Sequence, residues 1–258
     1  MTYKKLKLDT RGAALRIALD RPEVLNALDL ELLDELADAL SGPAAGSDVR
    51  AVMVTGSGRG FCAGADLGAT RMDADIGAVL ERHYHPVVRA IAALQKPVVA
   101  AVNGVAAGAG LSLALACDVR YASQASSFVL GFTGIALALD AGASFYLPRL
   151  IGTGRAYEMA LSNRKVTAEE AFALGLAERV LPADGFEEAA FDAVAALAAG
   201  PTAAFGLIKA ELQASTKNDL EAQLAFEARC QAAAAATRDA AEGITAFAQK
   251  RPPRFEGG

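Results

Sequence analysis

Gly60-Phe61-Cys62-Ala63-Gly64-Ala65-Asp66-Leu67 follows a short apolar strand pattern and consists mostly of small residues. Small residues let a ligand approach the main chain, and backbone N–H groups left unpaired there can donate to an oxyanion. Asn103-Gly104-Val105-Ala106-Ala107-Gly108-Ala109-Gly110-Leu111 has the same character. It follows a strand pattern and opens a helix, so free N–H groups and the helix dipole favour negative charge at that point. Each segment alone also fits an ordinary glycine-rich loop or the close packing of a helix on a sheet. Neither is a phosphate loop, since Gly-Lys-Ser/Thr is absent and the Gly104–Gly108 spacing is not that of a dinucleotide fingerprint. Together they offer two separate backbone donors. Converging on one carbonyl oxygen, these would polarise a thioester and stabilise its enolate.

The acid–base candidate is Asp140, set in the apolar run Gly134-Ile135-Ala136-Leu137-Ala138-Leu139-Asp140-Ala141-Gly142. Apolar company raises a carboxyl pKa by desolvation, a usual condition for a proton shuttle. A helix is expected directly after it, so Asp140 also fits a helix N-cap. The only two histidines are His83 and His85, two apart on an expected helix and therefore facing different directions. His85 reads as a surface residue or as a base. Cys62 has no matched base nearby in sequence and reads as a small packing residue. Asp66 could orient its loop or simply occupy a turn. Leu28, Leu32, Leu33, Leu36 and Leu40 form a helical stripe that reads as core and not as a binding surface.

These residues must be held by an α/β framework. Alternation from Leu6 to Leu19 around Arg11-Gly12 predicts a hairpin, and Leu28 to Leu40 predicts a helix stopped by Gly42-Pro43. Further strands are expected at Val49–Thr55, Val98–Val102, Val119–Ala122 and Ser127–Leu130. A polar segment from Gly68 to Asp75, expected to be mobile, precedes a helix running to about Leu94. Other helices are expected from near Gly108, at Ala141–Leu150, at Arg155–Leu161 and at Ala168–Leu174. Strands alternating with helices imply crossover connections. From Phe186 the pattern is helical throughout, broken at Gly200-Pro201 and Lys217-Asn218-Asp219, so residues 1–185 read as the core and 186–258 as a helical region.

Composition narrows the function classes. The 258 residues are 53% hydrophobic, with a formal net charge of -5. A mildly acidic protein attracts neither nucleic acid nor an anionic membrane. Cys62, Cys117 and Cys230 are far apart and odd in number, which fits a reducing, cytoplasmic compartment and no metal site. The polar Met1–Lys5 start predicts no signal peptide. Pro97 to Cys117 is charge-free and long enough to cross a bilayer, but Asn103, Gly104, Gly108 and Gly110 favour a buried strand, a turn and a buried helix.

Gly58-Arg59-Gly60-Phe61-Cys62-Ala63-Gly64-Ala65-Asp66-Leu67, then Lys96-Pro97-Val98-Val99-Ala100-Ala101-Val102-Asn103-Gly104-Val105-Ala106-Ala107-Gly108-Ala109-Gly110, resembles the crotonase (enoyl-CoA hydratase/isomerase) superfamily. The resemblance runs from Leu19-Asp20-Arg21-Pro22-Glu23 to Phe247-Ala248-Gln249-Lys250-Arg251. It implies a spiral of ββα units, a C-terminal helical region that trimerises, and an acyl-CoA thioester as substrate. The expected assembly is a homotrimer or homohexamer. Coenzyme A would be part of the substrate, with no separate cofactor. By the same resemblance Ala65 and Ala109 supply the oxyanion donors, Ala63, Gly64, Asp66, Leu67, Gly108 and Phe132 line the substrate, and Lys250 and Arg251 reach CoA phosphates. The last pair also fits a solvated helix end.

Hydratases of the superfamily carry two glutamates, at the places of Ser112 and Phe132 here. With both carboxylates replaced, water addition loses the groups that would hold and deprotonate water. Asp140 resembles the acid/base of the 1,2-epoxyphenylacetyl-CoA isomerase branch, although that branch usually has Pro at the place of Leu139 and Gly at that of Ala143. The expectation is therefore an acyl-CoA isomerase. Hydratase, aryl-CoA dehalogenase (His85 as base, Asp140 as nucleophile, a Trp at the place of Phe132) and a non-catalytic acyl-CoA-binding oligomer are the alternatives.

Overall fold

A computed structural model describes residues 3–68 and 75–258. The segment from Gly68 to Asp75, expected to be mobile, falls mostly outside the described residues, as do the first two residues of the polar start. The strands are β1 (Leu6–Arg11), β2 (Ala14–Leu19), β3 (Ala51–Gly56), β4 (Gly60–Cys62), β5 (Val98–Val102), β6 (Val105–Ala107), β7 (Val119–Ser123), β8 (Ser127–Val129), β9 (Val166–Thr167) and β10 (Arg179–Leu181). The helices are α1 (Leu30–Ser41), α2 (Ile76–Val79), α3 (His85–Ala93), α4 (Ala109–Ala116), α5 (Ala143–Ile151), α6 (Thr153–Ser162), α7 (Ala168–Leu174), α8 (Phe186–Ala198), α9 (Thr202–Ala214), α10 (Leu220–Ala235) and α11 (Arg238–Ala248).

Two sheets result. One has the order β1-β2-β3-β5-β7-β10 and is parallel except for the β1–β2 hairpin; the other has the order β4-β6-β8-β9. The period-2 geometry of strands explains why the central ones carry no polar face. Val52, Val54, Val98, Ala100 and Val102 join the main core, whereas Ala51, Met53, Val99 and Ala101 turn to the opposite face. There Phe186, Ala190, Phe191 and Val194 of α8 cover them. Among the described residues no single helix is long and apolar enough to cross a membrane. The charge-free run Pro97–Cys117 becomes β5, β6 and α4, nearly all buried, with the Asn103-Gly104 turn where it was expected.

The differences are local. The helix expected from Leu28 begins at Leu30, because Leu28 instead bridges Ala65 and Asp29 caps the helix by accepting from the Leu32 N–H at 2.9 Å. Strands β4, β6, β9 and β10 were not expected. They have two or three residues each, too few to show a period. The helix reaching Leu94 is interrupted by a π turn over Leu80–Tyr84, closed by the His85 N–H onto the Leu80 carbonyl.

Candidate active site

The first glycine segment is held in place by side-chain amides. Asn26 is fully buried and donates to the Gly60 carbonyl at 2.8 Å and to that of Ser57 at 3.0 Å. Asn103 donates to the carbonyls of Gly56 and Gly58, both at 2.9 Å. Arg21 grips the far end through Asp66 (2.9 Å) and the Ala27 carbonyl (2.6 Å). Asp66 is thus a loop-orienting residue, while Leu67 beside it is exposed.

The Leu28–Ala65 bridge decides where the Ala65 amide goes. In this parallel bridge the Leu28 N–H donates to the Gly64 carbonyl (2.7 Å), and the Asp66 N–H donates to the Leu28 carbonyl (2.9 Å). Leu28 therefore bonds the groups flanking Ala65, and the Ala65 N–H faces away from it. The Ala63 N–H, by contrast, is spent on the Leu25 carbonyl at 3.0 Å. In the second segment the Gly108 N–H donates to the Val129 carbonyl (3.1 Å). Ala109 then opens α4 with its N–H among the unpaired donors of a helix start. Neither the Ala65 nor the Ala109 N–H has a hydrogen-bond partner among the described residues.

Glycines bring the two segments together. At Gly64 (φ +99°) a Cβ would stand 2.8 Å from the Ala107 carbonyl oxygen and 3.5 Å from the Ala109 nitrogen. At Gly108 (φ +53°) it would lie 3.8 Å from the Gly64 Cα. Only glycine fits so close an approach with left-handed backbone. Cys62 adds a contact of its own, its buried sulfur accepting from the Gly64 N–H, and burial pushes its thiol up to about 12. It stays neutral and acts in packing, as the sequence implied.

Beside Ala109 lies a small apolar void of about 10 Å³, walled by Leu28, Leu33, Leu36, Tyr84, Val88 and Ala141, among others. The leucine stripe is buried core, as expected, and Leu28, Leu33 and Leu36 of it also border this space. Ala141 adjoins Asp140. The N-cap reading of Asp140 fails: α5 starts at Ala143 with Gly142 as its cap and no side-chain bond to its first turn. Instead Asp140 Oδ1 is buried without a hydrogen-bond partner, and burial pushes the carboxyl up from 3.8 to about 6. Ser112 is fully buried and turns its hydroxyl back onto the Gly108 carbonyl at 3.3 Å, while Phe132 packs in the core at 5% exposure.

The remaining candidates stand apart from this cavity. His83 bonds Asp34 of α1 at 2.6 Å; His85 is half-buried and not among the cavity residues, whereas its neighbours Tyr84, Val87 and Val88 are. Lys250 is exposed just past α11, and Arg251 is held by both carboxylate oxygens of Glu242 at 2.6 and 2.8 Å. Tyr84 was not singled out from the sequence. Its only sequence signal was an aromatic next to His85, because a π turn leaves no readable period.

A family profile described as enoyl-CoA hydratase/isomerase matches residues 9–258. The chain belongs to the enoyl-CoA hydratase/isomerase family. Over 258 residues it is 44% identical to a probable enoyl-CoA hydratase of Rhodobacter capsulatus, covering 100% of both chains. It is 39% identical to the 1,2-epoxyphenylacetyl-CoA isomerase of Escherichia coli over 94% of this chain and 95% of that one. The crystal structure of an enoyl-CoA hydratase from Bacillus anthracis superimposes with a TM-score of 0.93 at 34% identity, covering 99% of this chain and 100% of the other. The two-sheet α/β architecture with its C-terminal helices is thus the enoyl-CoA hydratase/isomerase (crotonase) fold, and an acyl-CoA thioester is the substrate type consistent with the family.

Proposed function

We propose that the protein is an acyl-CoA isomerase of the 1,2-epoxyphenylacetyl-CoA or Δ3,Δ2-enoyl-CoA type. The observation carrying this reading is the orphaned, buried Asp140 oxygen in a chain whose two hydratase glutamate places hold Ser112 and Phe132. The Ala65 and Ala109 N–H groups bind the thioester oxygen and draw charge onto it as the neighbouring carbon loses a proton. Asp140 takes that proton and returns it at the new position; a carboxyl with a raised pKa is suited to both halves of the transfer. Coenzyme A belongs to the substrate, no separate cofactor takes part, and the reaction is placed in the cytoplasm.

Solvent isotopes test this directly. Turnover of 1,2-epoxyphenylacetyl-CoA or a Δ3-enoyl-CoA in heavy-oxygen water should leave the product free of solvent oxygen. Label in the product, or hydration of crotonyl-CoA at a comparable rate, would establish a hydratase or dehalogenase instead. Binding of all these thioesters with no turnover would make the protein a non-catalytic binder.

The same reading includes self-association through the helical region. Ile208, Leu212, Leu220, Leu224, Ile244 and Phe247 expose large apolar surfaces, Phe247 at 86%. Such patches on a single chain mark interaction surfaces. A homotrimer or a dimer of trimers is expected in sedimentation, and a stable monomer at micromolar concentration would refute it.

A further inference from the structure

Ala65 lies past the end of β4, which stops at Cys62, and follows Gly64 with its left-handed backbone (φ +99°). Beyond that glycine, two hydrogen bonds to Leu28 fix the direction of the Ala65 N–H. Leu28 itself sits in the loop ahead of α1. A bridge of two bonds between two loops is a weak frame for an oxyanion donor, which works only if it is already aimed when charge develops. Ala109 differs. Its place is set by α4, whose eight residues are all buried.

One side chain ties the bridge from both sides. Arg21 Nη1 donates to the Ala27 carbonyl at 2.6 Å and lies 3.1 Å from Asp29 Oδ2, while Nη2 donates to Asp66 Oδ2 at 2.9 Å. Ala27 and Asp29 flank Leu28, and Asp66 follows Ala65. The side chains of Arg21, Asp29 and Asp66 are only 15%, 12% and 19% exposed, so this is not a solvated surface pair. Asp29 is fixed in turn by capping α1 and by Lys5. The Arg21 backbone is bonded separately: its N–H donates to Asn26 Oδ1 at 2.9 Å, and its carbonyl accepts from the Asn26 N–H at 2.8 Å. The side chain can therefore be changed without undoing the turn that carries it. A guanidinium presents five donors in a rigid fork, whereas a lysine ammonium is a point charge that cannot match these three acceptors together.

We infer that Arg21 is a positioning residue for the oxyanion donor: by stapling Ala27 and Asp29 to Asp66 it holds the Leu28–Ala65 bridge closed and sets how strongly the Ala65 N–H polarises the thioester carbonyl. The inference rests on Ala65 being such a donor, as proposed above, and is independent of the choice between isomerase and hydratase. Arg21 acts through the bridge, so its loss is felt in the polarisation of the carbonyl more than in the binding of the thioester. Only one of the two donors depends on it.

Phenylacetyl-CoA labelled with carbon-13 at its thioester carbonyl reports this without turnover. Bound to the unaltered protein, its carbonyl stretch in difference infrared spectra should lie below the value in water. In Arg21→Lys roughly half of that displacement should be lost, one donor of two being misaligned, while affinity stays within about threefold. Turnover should fall about 10²-fold in kcat with KM within about threefold, the pattern of an interaction made in the transition state. Asp66→Asn loosens the other end of the staple and should give the same two effects, and it serves alone if Arg21→Lys does not fold. Combining the two should add little to either. A merely structural arginine would lower Tm and leave the stretch and kcat of the folded protein unchanged, which overturns the inference. Lost affinity with an unchanged stretch overturns it too, by making Arg21 a binding group. A stretch that is not displaced even in the unaltered protein would refute Ala65 and Ala109 as thioester donors, and this inference with them. Solvent oxygen in the product would sink the isomerase reading and leave the infrared result standing.

Discussion

Asp140→Asn should lower kcat by roughly 10³–10⁴-fold, the upper part of the range for a general acid/base that has no substitute. Binding of phenylacetyl-CoA should change little, since the amide has the same shape. In the unaltered protein kcat/KM should fall as pH drops below about 6, where the carboxyl protonates and stops acting as a base. The same variant should be more stable at neutral pH. A folded-state pKa raised from 3.8 to about 6 means that the ionised carboxylate is disfavoured by folding. That cost is fully present above pH 6, declines between pH 6 and 4, and vanishes below the unfolded value. Allowing for partial contact with solvent, the amide variant should gain about 1–2 kcal/mol at pH 7.5 and nothing at pH 3.5, read as unfolding midpoints. Full activity in Asp140→Asn would show that the proton moves elsewhere.

Gly110→Ala should be a severely damaging single methyl. A Cβ there would sit 2.3 Å from the Cys62 carbonyl oxygen and 2.7 Å from the Cys62 Cβ and sulfur. Backbone of β4 cannot yield without pulling on the ladder to β6, so overpacking should cost about 3 kcal/mol. For a chain of this size that lowers Tm by roughly 6–12 °C. The start of α4 would move with it, carrying the Ala109 N–H off its target, and misplacing one such donor costs about 10²–10³-fold in kcat. Gly154→Ala in α6 is the control, because nothing lies within 4 Å of a Cβ there. It should leave activity unchanged and raise stability slightly, by up to about 1 kcal/mol. Equal effects from the two variants would remove the argument from close packing.

What could be read from the sequence was whatever repeats or punctuates. β1 and β2 alternate around Gly12, α7 was bounded correctly, and Asn103-Gly104 marked its turn. The two glycine segments were legible because glycine at Gly64 and Gly108 answers a steric demand of the folded chain. The short strands β4 and β6 were not legible, although they lead into both donor segments, because three residues carry no period. Asp140 stood between cap and acid/base until the position of Gly142 removed the cap. Tyr84 was invisible for a different reason. Its direction depends on a π turn, which is a hydrogen-bond shift and not a residue pattern.

The donors proposed at Ala65 and Ala109 belong to the main chain, and this has a consequence for how such a protein can change. No side-chain replacement at either position, short of proline, deletes an N–H. Mutation can reach that part of the machinery only through the residues that hold it, chiefly the glycines that bring the strands together, where most changes would be lost to misfolding. Asp140, Ser112 and Phe132 are under no such protection: each can be exchanged by altering one codon. A lineage built this way can rewrite what happens to the acyl chain in a few steps while its hold on the thioester is passed on intact.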